Sequence, residues 1–139
     1  MPPEVITYDL HVHFFPAEDV PGIWVAHCLD FDVVSQGTSL SDAMGMIREA
    51  VELTVIDDLG RGLDPHLRRA PKEEWDAFWG AVAGAVAQPV GLVLERAGEI
   101  RSVVTFPTMT VTRVRAPTPS MGTAYDMPLA FAQDARAVG

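Results

Sequence analysis

The ten residues "VITYDLHVHF" (5–14) alternate without interruption. Ile6, Tyr8, Leu10, Val12 and Phe14 fall on one side of an extended chain; Thr7, Asp9, His11, His13 and then Phe15 fall on the other. A period of two over this length demands a strand with one buried face, since a helix would scatter the apolar residues around its circumference. The other face is expected to be polar and solvated. Turn formers in "PAEDVPG" lead to a second strand, "GIWVAHC" (22–28). "LDFD" then reverses the chain and "VVSQG" (33–37) supplies a third strand. Short strands with short connections predict an antiparallel meander.

After Gly37 the period changes. Leu40, Ala43, Met44, Ile47, Ala50, Val51 and Thr54 recur at three and four, the stripe of a helix that packs on a sheet. Ser39 is placed to cap it, with Asp42 at the capping-box position, and Gly60 or Gly62 to end it. A second helix is predicted over 71–87, with Pro71 and three acids in its first turns and Trp75, Phe78, Trp79 and Val82 along one side. Strands are expected at "VGLVLER", "EIRSVVTF" and "TMTVTRVR", the first two joined by a turn at Ala97-Gly98. From 116 the chain is rich in Pro and Ala and is expected to be a loosely held tail, with a helical turn or two after Pro128.

The reading is therefore an α+β fold: an antiparallel sheet of three or four strands, covered by the helix of about 39–59, with the 66–115 segment completing the same domain. A single domain suits 139 residues, of which 48% are hydrophobic. Asp9, His11 and His13 have the Asp-x-His-x-His spacing found in many metal-dependent barrel hydrolases. A (β/α)₈ barrel needs about 250 residues, so that class is excluded by length. A zinc site needs three or four ligands, and His27 is the available third. The pattern is read as a polar strand face without metal or cofactor. The lone cysteine, Cys28, fits a buried thiol in a reducing cytoplasm, and neither a secretory signal nor a membrane span is expected.

Residues 22–53, "GIWVAHCLDFDVVSQGTSLSDAMGMIREAVEL", resemble the HicB-like antitoxin family. The likeness is carried by Trp24 and Ala26 on the second strand, the Leu29-Asp30-Phe31 turn, and Gln36-Gly37. Ser39 to Ala43 at the helix start and Ala50 further along it complete the pattern. It covers roughly the first 60 residues. The resemblance implies a β-β-β-α-β module similar to a truncated ribonuclease H fold that blocks a small basic ribonuclease toxin by occluding its surface. In a ribonuclease H fold Asp9 would stand at the first catalytic acid, with Glu49 or Glu52 as the second, but nothing identifies further ligands and no enzymatic activity is expected. Many family members add a DNA-binding segment. "APTPSMGTAYDMPLAFAQDARAVG" has one arginine and no paired helices, so DNA binding is not expected.

Charge points to the same kind of partner. Residues 1–65 carry twelve acids against Arg48 and Arg61, a balance of −10; the remainder balances at +1. An acidic half repels nucleic acid and suits a basic protein. Glu18, Asp19, Asp30 and Asp32 are the expected rim of the contact, with Trp24 and Phe31 as apolar anchors. The alternative is a stand-alone module that uses this domain as an oligomerising scaffold, without a toxin. The Trp/Phe stripe of the second helix favours a homo-oligomer.

Overall fold

The protein is described by a computed structural model over residues 3–115 and 126–133. Its strands are β1 (Glu4–Asp9), β2 (Val12–Pro16), β3 (Trp24–Cys28), β4 (Val33–Gly37), β5 (Val86–Gln88), β6 (Gly91–Arg96), β7 (Glu99–Thr105), β8 (Thr108–Arg115) and β9 (Asp126–Gln133). Helix α1 (Leu40–Gly60) follows β4, and α2 (Lys72–Ala83) follows a short 3-10 turn at Pro65–Arg68. Every described strand pair is antiparallel. The class is α+β, but the main sheet has six strands, not three or four, in the order β4-β3-β2-β7-β6-β5. A second sheet is ordered β1-β8-β9.

The alternating run does not form one strand. It divides at Leu10 and His11, so that β1 joins the smaller sheet while β2 opens the meander β2-β3-β4. The partner strand divides at the same place: Asp9 lies opposite Thr108 and Val12 opposite Thr105, with one offset maintained across the gap. Pro107 has no N–H to donate to the ladder, which breaks it there. The neighbouring donors remain satisfied. Leu10 N donates to the Pro107 carbonyl at 2.8 Å, and His11 N donates to the Asp30 carboxylate at 2.6 Å. Side-chain alternation survives the break, and Tyr8, Leu10, Val12 and Phe14 are all buried.

Two helices cover opposite faces of the six-stranded sheet. Ala43, Met44, Ile47, Val51 and Val55 of α1 pack on Val12, Phe14, Ala26, Cys28, Val93 and Val103. Trp75, Phe78 and Ala81 of α2 pack on Leu29 and Val104, with Leu92 and Leu94 alongside. The outer face expected to be solvated is therefore largely roofed. The apolar stripe of α2 needs a surface to bury against, and Phe15, Leu92 and Val104 lie on that side of the sheet.

The entry to α1 is fixed by local chemistry. Ser39 Oγ accepts from Asp42 N at 3.0 Å, while Asp42 Oδ2 accepts from Thr38 N at 2.8 Å. This is a capping box whose return bond falls one residue before the cap. A Cβ on Gly37 would meet the backbone N of Ala43 and stand 2.8 Å from its Cα, so only glycine lets β4 run this closely into the helix. At Ala97 and Gly98 the backbone has φ of 54° and 78°, the paired positive values of a tight hairpin between β6 and β7.

Two further expectations are corrected. Helix α2 stops at Ala83, not near 87, because Gly84 ends it and Val86–Gln88 pairs with β6 as β5. The segment around Pro128 is strand, not helix: β9 pairs with β8, with a register shift at Thr112/Arg113 opposite Pro128. The rest of the expected tail, 116–125 and 134–139, lies outside the described residues. Among the described residues no helix is long and apolar enough to cross a membrane.

Candidate functional site

Register places the titratable side chains of β2 and β3 beneath and beside α2. One cross-strand row runs Val34, His27, His13, Val104 and Leu92, from β4 through β3, β2 and β7 to β6. Helix α2 covers the Val104 and Leu92 end. The Val34 and His27 end opens into a cleft of about 400 Å³ beside the first turn of α2. Phe15, Val25, Val34 and Pro71 wall this cleft, and Asp32 and Glu74 carry carboxylates at its rim.

His27 sits between those carboxylates. Its Nε2 is 2.7 Å from Asp32 Oδ1 and its Nδ1 is 3.8 Å from Glu74 Oε2. Its side chain is only 8% exposed, whereas those of Asp32 and Glu74 are 43% and 49% exposed. Asp32 has φ of 52°, a left-handed conformation that Asp tolerates better than most residues and that suits the β3–β4 turn.

His13 faces His27 directly, yet its surroundings differ. The ring packs against Phe15 and Phe78, with centroids 5.1 and 6.1 Å away, and its Nε2 is enclosed without a hydrogen-bond partner. Burial drives its pKa down to about 4, and the neighbouring His27 adds to the effect. Trp75 Nε1 is likewise enclosed without a partner. These two orphans belong to one layer, where α2 meets the sheet.

His11 marks the chain break. Its Nδ1 is 2.9 Å from Asp30 Oδ2, and Trp75, Phe78, Trp79 and Phe106 surround the ring at 5.1 to 5.8 Å. Asp30 thus holds both the backbone and the ring of His11, and Cys28 Sγ lies 3.8 Å from Oδ1, the oxygen that accepts from His11 N. Burial and that carboxylate push the Cys28 thiol pKa up, which leaves it protonated and unreactive. Away from this face, the buried Asp58 receives two hydrogen bonds from Arg68, at 2.8 and 3.0 Å, tying the 3-10 turn to the end of α1.

The expected partner-binding residues are divided by the fold. Glu18 and Asp19 are exposed between β2 and β3, and Asp32 is exposed at the cleft. Asp30 is 5% exposed and Phe31 1%, so neither serves as rim or anchor in this state. Asp30 is committed to the His11 corner, and Phe31 stacks edge-on against Tyr8 inside the core. Trp24 is half-buried against the same core. Ala26, Gly37 and Ala43 are buried, Ser39 caps α1 and Ala50 is half-buried on it, so the family-like motif is spent on folding.

His27 does share a sheet face with His13, but among the described residues no three of His, Cys, Asp and Glu converge on a metal position. Asp9 ends β1 opposite Thr108, and Glu49 is exposed on α1. Arg113 pairs with Glu4 at 3.2 Å. Sequence reasoning missed Glu74 as a site residue, reading it as a helix-terminus acid. The usable signal was Phe15 on the supposedly solvated face, matched by the Trp75/Phe78 stripe that had to cover something. Comparison with protein-family models, characterised proteins and solved structures finds no match.

Proposed function

We propose that this protein is a binding protein of the HicB-like antitoxin type, which neutralises a small basic ribonuclease by covering its surface. The observation that carries the reading is the outward display of charge. Of the twelve carboxylates in residues 1–65, only Asp30 and Asp58 are buried, and the same stretch holds just two basic residues. Such a surface accelerates encounter with a cationic partner and rejects nucleic acid. The ribonuclease H-like reading rests on the meander β2-β3-β4 followed by α1. The antiparallel strands added after α2 extend it into a larger sheet.

The test is co-expression with a short basic protein encoded in an adjacent reading frame. The reading expects the pair to co-purify and RNA cleavage by the basic protein to be suppressed at a stoichiometric ratio. Cleavage that continues at excess of this chain counts against it.

A second reading, a stand-alone oligomerising scaffold, is favoured by the main sheet's edges, which no other strand covers among the described residues. Edge strand β4 exposes Val34 and edge strand β5 exposes Val86. Strand edges of this kind can pair with another copy. An isolated gene with a protein that sediments as a closed oligomer would select this reading.

A further inference from the structure

We propose that the cleft between the β4 edge and the first turn of α2 receives a single cationic side chain, arginine in preference to lysine, presented by a basic protein partner. This rests on the binding reading above and gives it a location. Asp30 as a rim residue and Phe31 as an apolar anchor no longer apply, since both are buried. The cleft contains one of the expected rim residues, Asp32, and joins it to Glu74 from a part of the chain 42 positions later.

The chemistry of the lining selects the occupant. Phe15, Val25, Val34 and Pro71 offer an apolar passage, and Val34 is 59% exposed along it. An aliphatic stem would cover that surface while leaving its head at the polar end. The head would meet two carboxylates held about the buried His27 ring. An anion is repelled there, and a neutral apolar group would strip water from Asp32 and Glu74 without replacing its hydrogen bonds. Among the described residues no three ligating groups converge on a metal position. A guanidinium has five donors in a planar fork, so it can donate to one carboxylate while its remaining donors face the second, which a compact ammonium does less well.

The architecture also explains why the carboxylates are available. Asp32 is held by the left-handed turn after β3, and His27 occupies only its Oδ1. Glu74 sits in the first turn of α2 with its nearest basic atom, His27 Nδ1, at 3.8 Å, beyond hydrogen-bond range. The sheet fixes one wall and α2 the other, so the cleft exists before any ligand arrives.

The experiment is an NMR titration of the intact chain with n-butylguanidinium, n-butylammonium and the neutral n-butylurea. We expect the guanidinium to shift the His27 ring and the Val34 and Phe15 signals, the ammonium to do so more weakly, and the urea not at all. Asp32→Asn and Glu74→Gln should each weaken guanidinium binding about fivefold, the size set by a partly exposed ion pair, with α1 signals unmoved. Equal response to n-butylurea, shifts confined to other surfaces, or unchanged binding by both variants overturns the proposal. The basic ribonuclease separates the two readings. If it binds the Asp32→Asn/Glu74→Gln double variant as tightly as the native chain, the cleft is wrong and the binding function stands. If n-butylguanidinium binds the cleft but no basic protein binds the chain, the cleft stands and the ribonuclease reading falls.

Discussion

His13 should make stability fall with acid in a way one substitution removes. Its Nε2 is enclosed without a partner between Phe15 and Phe78, and protonation would place an uncompensated charge there. In the unfolded chain the ring titrates near 6.5, and in the fold at about 4. Between those values the unfolded chain holds a proton that the folded chain lacks. Stability is therefore full above 6.5, declines as pH falls through the window, and loses nothing more from this group below 4. At about pH 5.2 the linkage amounts to about 1.8 kcal/mol, which solvent screening of a half-buried ring lowers to about 1 kcal/mol. That pH stays clear of the isoelectric point near 4.7. Urea unfolding followed by tryptophan fluorescence, at neutral pH and at about pH 5.2, gives the loss directly. His13→Leu removes the titrating ring, so the native chain should lose about 1 kcal/mol more than the variant between the two conditions. Parallel losses in the two proteins would refute the reasoning, because other histidines and carboxylates contribute equally to both.

Two further substitutions test the packing. Gly37→Ala forces a methyl group against the Ala43 backbone, which cannot yield as a side chain end can; it should cost about 2–3 kcal/mol, seen as a lower urea midpoint with unchanged slope. Phe78→Ala empties the centre of the α2 contact, where Phe78 is wholly buried, and should cost about 3–4 kcal/mol in the same measurement. It should also expose His13 and raise its pKa toward the ordinary histidine value, readable by NMR titration.

Much of the fold was legible because local signals and tertiary packing agree. The strand at 33–37 and the helix after Ser39 appear where the period changes from two to between three and four. Gly37 and Ser39 lie at that junction for steric and hydrogen-bonding reasons. The division of the first strand was not legible, because Leu10 remains buried and the alternation passes through unbroken. What stops the ladder there is Pro107 across the sheet and the Asp30 carboxylate on His11 N, both remote in sequence. Asp30 and Phe31 misled for a related reason. An Asp-bearing turn reads as surface, yet this carboxylate is turned inward by a backbone N–H and a histidine that only the fold brings to it. The cleft was illegible at Glu74, since nothing local to α2 states that its first turn will stand over His27.

The central claim, that this acidic surface is built to receive a basic ribonuclease, is tested most directly by stopped-flow binding of the purified pair as ionic strength is raised. The account predicts that association slows about tenfold between roughly 50 and 500 mM salt while dissociation changes less than about twofold, as electrostatic steering requires. Failure to form a complex, or an association rate indifferent to salt, would contradict it.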